Sequence, residues 1–290
     1  MPHRDPMKRP NKALKSGDRS RALISEALQR ASAAIENRRP DEAERIARDV
    51  LAKNPQQPRA LHVLGIALLA QGRTQEAVTA LEQAARLLCD PMIDMHLGMA
   101  QRQVGRVADA IASLKRATEQ DGALPIAFHE LGVLLFTQRR LEEAETVVRR
   151  GLGVAAASPE LSVLLGGILL DRGDRANAKV AFARALANAP QHTGALYGIG
   201  ATLMDDGEFA RAAERFRQAL ARDAAYVQAR IGLGTCLLEL GQRDEALAHL
   251  RAAAKAGPQF YGKALRAIVS SGHGQLWLKP SAAAEFLQTD

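Results

Sequence analysis

The chain has 290 residues and a formal net charge of +7, and only 4% of its residues are aromatic. This length could hold one or two globular domains. No stretch is long and apolar enough to predict a membrane span, and residues 1–21 lack the apolar run of a secretory signal. We therefore expect a cytoplasmic protein.

Residues 1–21 are predicted to form a disordered, basic N-terminal arm. They hold seven basic and two acidic residues, which account for five of the seven excess positive charges. Their proline and lysine content is typical of disordered segments. Such an arm could attach to nucleic acid or to an anionic membrane surface, which stays open as an alternative to a solvated tail without a specific role.

Residues 22–258 repeat themselves at a nearly constant period. A Leu-Gly or Ile-Gly pair recurs six times at almost equal intervals, with its glycine at Gly65, Gly98, Gly132, Gly166, Gly200 and Gly234. Seven positions after each glycine comes a turn position, which is Arg139 in one case and glycine in the others, and five positions later an alanine. A fixed period in this range predicts a solenoid of stacked helix pairs.

Each repeated position has a physical reason. The glycine of the Leu-Gly pair is expected where two helices approach closely, and the turn glycine adopts the left-handed conformation that ends a helix. The alanine is small for the same reason as the first glycine. A large apolar residue stands four positions after it, such as Leu81 after Ala77, on the same helical face. Pro58, Pro91, Pro125 and Pro159 are placed to begin first helices.

This combination of period, Leu-Gly pair, turn glycine and alanine resembles the tetratricopeptide repeat (TPR) family. The resemblance implies an all-α, right-handed superhelical solenoid of about seven helix pairs over residues 22–258. Residues 259–290 then form a capping helix and a C-terminal tail. The family also includes appendages of enzymes, but the segment that follows the last repeat here is too short for a catalytic domain.

No catalytic, cofactor-binding or metal-binding residue is predicted. The sequence has no Walker phosphate loop, no His-Glu-x-x-His and no Cys-x-x-Cys. His62, His96 and His129 recur at about the repeat period, but equivalent atoms of successive repeats should lie roughly 10 Å apart, too far for one zinc ion. Cys89 and Cys236 are interpreted as free thiols packed as small hydrophobes.

In the family, the first helix of each pair lines a concave groove. The corresponding positions here predict an apolar, methionine-rich groove that suits adaptable contact with an extended or helical segment of a partner protein. The candidate peptide-binding residues are His62, Met95, Met99, His129, Phe136, Tyr197 and Met204. The cationic clamp of chaperone-tail binders and the asparagine ladder of O-GlcNAc transferases are both missing from these positions. The chain is thus predicted to be a non-catalytic scaffold, with an accessory subunit of a separate transferase as an alternative.

The C-terminal end, residues 270–290, fits no repeat. A capping helix is predicted over residues 260–269, followed by a tail with four large apolar side chains, Trp277, Leu278, Phe286 and Leu287. Their joint exposure would be unusual for a soluble monomer. The tail therefore either folds back onto the solenoid or docks on a partner, and the sequence does not determine the oligomeric state.

Overall fold

The computed structural model describes residues 12–270 together with Ser281, Ala284 and Leu287. Residues 12–270 are almost entirely helical and contain no strand, which confirms the predicted all-α fold class. The helices are α1 Lys12–Glu36, α2 Pro40–Lys53, α3 Pro58–Ala70, α4 Thr74–Leu87, α5 Pro91–Gln103, α6 Val107–Glu119, α7 Pro125–Thr137, α8 Leu141–Val154, α9 Pro159–Asp171, α10 Arg175–Asn188, α11 Thr193–Asp205, α12 Phe209–Arg222, α13 Val227–Glu239, α14 Arg243–Lys255 and α15 Pro258–Ser270.

The helix boundaries follow from local chemistry. Pro58, Pro91 and Pro159 occupy the first turn of α3, α5 and α9, where a missing N–H removes no helical hydrogen bond. The turns inside the pairs are left-handed, with φ between 75° and 82° at Gly72, Gly105, Gly173, Gly207 and Gly241. Arg139 takes the same conformation, with φ of 60°, although it has a side chain. The repeat therefore imposes this turn even where the residue does not favour it.

The chain divides into two compact units, residues 1–130 and residues 131–290. In unit 1, α1 contacts α3 and α3 contacts α5, and α2, α4 and α6 each pack against the first helix of their own pair. Unit 2 repeats this order: α9 contacts α11, α11 contacts α13 and α13 contacts α15, with α10, α12 and α14 beside them. Within each unit, first helices thus form one layer and second helices the other, an arrangement consistent with about seven pairs.

The repeated small residues lie at helix contacts, as predicted. The alanine of the repeat is fully buried in every pair, at Ala43, Ala77, Ala110, Ala144, Ala178, Ala212 and Ala246. A Cβ atom placed on Gly65 would lie 2.5 Å from Leu81 Cγ, and one on Gly98 would lie 2.6 Å from Leu114 Cγ. These distances are well below van der Waals contact, so the glycine makes room for the large residue of the second helix.

In unit 2, the volumes of neighbouring side chains compensate for one another. The ring of Phe182 lies between two glycines, Gly166 of its own pair and Gly198 of the next. Phe216 lies in the same way between Gly200 and Gly232. One repeat earlier, α8 carries the smaller Val148 at the position of Phe182. The next first helix, α9, then carries the larger Leu164 at the position of Gly198. The side chains of Val148 and Leu164 both reach the space beside Gly132, where an added Cβ would lie 2.6 Å and 2.9 Å from them.

The two ends of the chain differ from the expectation or extend beyond the described residues. Helix α1 begins at Lys12, so residues 12–21 are helical where a disordered arm was expected. Residues 1–11 lie outside the described residues, and the arm stays a prediction there. The predicted capping helix is α15, which begins at Pro258. Within residues 12–270, no helix combines the length and apolar character needed to cross a bilayer.

One residue of the C-terminal tail is described as part of the core of unit 2. Leu287 is only 2% exposed and belongs to the cluster that includes Leu250 and Ile268. Tyr261 Oη donates a hydrogen bond of 3.1 Å to the carbonyl oxygen of Ala284. Trp277, Leu278 and Phe286 lie outside the described residues, so the docking mode of the tail stays a prediction.

Candidate functional site

A groove lies on the layer of first helices in unit 1. Helices α1, α3 and α5 line it, because α1 contacts α3 and α3 contacts α5 while their second helices pack behind them. Its volume is about 650 Å³, within the usual range for ligand sites. Apolar side chains from all three helices reach it, namely Ile24, Leu28, Val63, Ile66 and Met92. We call this hollow the unit 1 groove.

Charges at the unit 1 groove are balanced. Arg21 and Arg59 line it together with Glu36 and Asp90. Asp90 also caps α5, because its carboxylate accepts a hydrogen bond of 2.8 Å from the backbone N–H of Met92. With two cations and two carboxylates around an apolar floor, the groove favours a ligand with apolar side chains over a strongly acidic or basic one.

Two of the predicted histidines meet beside this groove. His62 Nε2 lies 3.0 Å from His96 Nδ1, and the two ring centroids are 5.0 Å apart. The expectation that histidines of successive repeats stay apart is therefore wrong for this pair, since His96 is one residue out of register with His62 and its ring reaches back to the preceding first helix. His96 Nδ1 also lies 2.7 Å from the carbonyl oxygen of Met92, which can only accept. His96 Nδ1–H is thus the donor, and the Met92 carbonyl oxygen and His62 Nε2 share its one hydrogen as two acceptors.

Burial keeps this histidine pair neutral. Desolvation, followed by repulsion from His96, lowers the pKa of His62 to about 4. Desolvation also lowers the pKa of His96, against the opposing effects of its hydrogen bond to Met92 and of Asp90. A histidine whose folded-state pKa is depressed stabilises the fold fully above its unfolded pKa, and the stabilisation is lost as the pH falls towards the folded value.

We expect the unfolding free energy of the protein to fall by about 1–2 kcal/mol through the His62–His96 pair between pH 7.5 and pH 5. Urea titrations at both pH values, followed by circular dichroism, measure this change. His62→Gln is the control, because glutamine does not titrate, and comparison with it separates the pair from His249, whose pKa is also lowered by burial. Glu44 does not interfere, since its pKa is lowered to about 2. An equal pH dependence in wild type and His62→Gln would contradict the assignment.

Met95 does not line the unit 1 groove. Its side chain is only 5% exposed, whereas Met92, one turn earlier on α5, is 44% exposed and lines the groove. Each residue of a helix turns by about 100°, so Met92 and Met95 face different directions. Met99 is half-buried on the same helix.

His129 is held by its neighbours. Its Nδ1 lies 3.8 Å from Glu130 Oε1, and Arg102 Nη1 lies 2.9 Å from Glu130 Oε2. The neighbouring His129 and the charge of Arg102 lower the pKa of Glu130, against its desolvation. His129 is not among the residues that line the unit 1 groove.

Two of the predicted residues of unit 2, Tyr197 and Met204, pack against its core. Phe136, Tyr197 and Met204 are each half-buried. The ring centroid of Tyr197 lies 5.8 Å from that of Phe216 and 5.3 Å from that of Tyr226. Burial raises the pKa of Tyr197 and raises that of Tyr226 to about 12. A role for these residues in peptide binding stays a prediction.

The remaining reactive side chains do not form a site. No group of three or more His, Cys, Asp or Glu side chains is placed to hold a metal ion within the described residues. Both cysteines are free. Cys236 is buried, which raises the pKa of its thiol to about 12, whereas Cys89 is exposed and is not the packed hydrophobe that we expected.

The contribution of α1 to the groove was missed in the sequence. The predicted groove residues begin with His62 in α3, and none of them lies in α1. The signal that could have identified it is the spacing of Ile24 and Leu28, which places them on one face of α1.

Comparisons with known proteins agree with this architecture. Family models described as tetratricopeptide repeat match residues 28–88, 96–160, 163–213 and 203–269, well over half of the chain. No curated protein gave a significant match.

Several solved structures share the fold. A chain of the APC/C hetero-tetramer Cut9–Hcn1 matches with a TM-score of 0.66 and 14% identity, over 82% of this chain and 48% of that one. A tetratricopeptide repeat protein from Parabacteroides merdae matches with a TM-score of 0.63 and 15% identity, over 92% and 99%. YrrB, described as a TPR protein with an unusual peptide-binding site, matches with a TM-score of 0.53 and 17% identity, over 63% and 95%. At these identities the likeness shows the fold, and together with the family models it establishes that the chain belongs to the tetratricopeptide repeat family.

Proposed function

We propose that this chain is a non-catalytic scaffold that binds a polypeptide segment of a partner protein in the unit 1 groove. The observation that carries the proposal is the groove itself, a hollow of about 650 Å³ with an apolar floor made by α1, α3 and α5. Family membership supports it, because tetratricopeptide repeat proteins are in general non-catalytic and bind protein partners.

The chemistry of the groove suits a peptide with apolar anchors. Met92 is exposed at its edge, and an unbranched thioether side chain adapts its shape to different partners. The floor offers burial to one or two apolar side chains of the ligand, each contributing roughly 1.5–3 kcal/mol when fully buried. Arg59 is exposed beside Met92 in the lining and can pair with a carboxylate or a carbonyl group of the ligand.

A peptide library displayed on phage provides a probe that does not depend on knowing the partner. Peptides selected on the immobilised wild-type protein are synthesised with a fluorescent label, and their affinity is measured by fluorescence polarisation. The groove variant carries Met92→Glu and Arg59→Glu. We expect it to bind the selected peptides at least tenfold more weakly, because it places two negative charges beside the apolar floor.

The matched control carries Leu87→Glu and Arg86→Glu. Leu87 is 44% exposed, the same fraction as Met92, and neither control residue lines the groove. The two variants change the net charge equally, so a loss of affinity in the groove variant alone identifies the groove. Equal affinity of both variants for the selected peptides, with circular dichroism showing that both are folded, would exclude the unit 1 groove as the binding site.

A further inference from the structure

A second hollow opens between α1 and α2 at the N-terminal end of unit 1. Its volume is also about 650 Å³. Apolar side chains from both helices form its floor, namely Leu23, Ile24, Ala27, Ile46 and Val50. Leu23 is 59% exposed there, the second most exposed large hydrophobic residue among those described. We call this hollow the end cleft.

The rim of the end cleft is basic, with four cations and one carboxylate in its lining. Arg21, Arg30, Arg45 and Lys53 line the cleft with a single carboxylate, Asp49. None of these four cations takes part in an ion pair with another described residue. These unpaired cations contrast with other arginines of the same unit. Several other arginines of unit 1 are paired: Glu44, for example, accepts hydrogen bonds from both Arg48 and Arg73.

We infer that the end cleft binds an acidic amphipathic helix of a partner protein. The end cleft shares Arg21 and Ile24 with the unit 1 groove but is otherwise lined by different residues. The inference does not rest on the proposed function. In a solenoid, each pair of helices is covered by the helices of the next pair, so the outer face of the first pair is shaped to receive another helix. A partner helix with an apolar stripe fills the floor, and glutamates or aspartates beside that stripe pair with the four cations.

The charges argue against the protein's own N-terminus as the occupant. Residues 1–11 carry Arg4, Lys8 and Arg9 against the single Asp5, so the segment has the same sign of charge as the rim. Nucleic acid also fits poorly. No aromatic side chain lines the cleft to stack on bases, and the apolar floor offers nothing to a phosphate backbone.

Two synthetic helical peptides of equal length test the inference. Both have leucines at positions i, i+3, i+4 and i+7. The first carries glutamate on both sides of the leucine stripe, and the second carries lysine at the same positions. Fluorescence polarisation with the full chain at low salt is expected to show binding of the glutamate peptide and at least tenfold weaker binding of the lysine peptide. Added salt should weaken the binding of the glutamate peptide, because the rim charges are exposed.

Variants of the full chain locate the binding. Arg30→Glu with Arg45→Glu should weaken binding of the glutamate peptide at least tenfold, and so should Leu23→Asp, which removes part of the apolar floor. Arg86→Glu with Arg222→Glu makes the same change in net charge at exposed positions outside the cleft, and it should change the affinity less than threefold. The affinity of the unit 1 groove variant for the glutamate peptide should also stay within threefold of the wild-type value. A failure of the inference can therefore be told apart from a failure of the proposed function.

Several results would overturn the inference. They are absence of binding by the glutamate peptide, equal binding of the two peptides, and unchanged affinity in the folded Arg30→Glu, Arg45→Glu variant. It would also be overturned if duplex DNA, or vesicles of phosphatidylserine and phosphatidylcholine, bound more tightly than the glutamate peptide and lost that binding in the same variant. In that case the basic rim serves an anionic polymer or surface and not a protein helix.

Discussion

Replacing Phe216 with alanine is expected to lower the free energy of unfolding of unit 2 by about 3–5 kcal/mol. The Phe216 side chain is fully buried, and its ring fills the space that Gly200 and Gly232 leave open on two first helices. Neither glycine has a side chain that can move into the resulting cavity, so the site cannot collapse easily. Urea unfolding followed by circular dichroism measures the loss.

Phe209→Ala is the matched control on the same helix. Phe209 is only partly buried and packs against the outside of the same core. Phe209→Ala should therefore lower the free energy of unfolding by less than half as much as Phe216→Ala. If both alanine variants unfold at the same urea concentration, the space between the two glycines does not hold the ring as the structure describes.

Gly132→Val is expected to destabilise unit 2 by about 1–3 kcal/mol, because the new side chain overpacks a close helix contact. An added Cβ alone would lie 2.6 Å from Val148 Cγ2 and 2.9 Å from Leu164 Cδ2, so both neighbours must shift. Helix propensity alone would predict the opposite result, since valine is a better helix former than glycine. Thermal and urea unfolding of the variant provide the measurement.

Gly153→Val separates packing from propensity. Gly153 lies in α8 of the same unit, and nothing comes within 4 Å of a Cβ placed on it. Valine should therefore leave the stability unchanged or raise it by a few tenths of a kcal/mol. An unchanged melting temperature in Gly132→Val would mean that the glycines of the Leu-Gly pairs do not mark close contacts.

The periodic part of the fold could be predicted from the sequence because each position repeats the same physical demand. Six Leu-Gly or Ile-Gly pairs and seven alanines at one spacing leave little freedom for the helix pairs and their turns. Even the exception was visible: Arg139 stands where the period requires a left-handed residue, and the structure places it at φ of 60°. Because the same position recurs in every repeat, one unusual residue such as Arg139 does not obscure the pattern.

The site depended on what differs between repeats, and there the prediction was weaker. Met95 occupies a groove position by register, yet it is buried, and its neighbour His96 contacts His62 on the preceding first helix. Such a contact needs the rotation of two helices about their axes, which the period does not specify. The unit 1 groove and the end cleft both depend on α1, which lies at the end of the repeat array and fits its pattern least well.

The compensation of volumes in unit 2 restricts how this chain could have grown by gene duplication. A copy of the pair α11–α12, inserted after itself, would place Phe216 against a second Gly198, which reproduces an existing contact. A copy of α9–α10 inserted in the same way would instead place Phe182 against a second Leu164, where the native neighbour is a glycine. Two segments of equal length and equal period would thus not pack equally well if duplicated, because the fit at the joint between repeats differs.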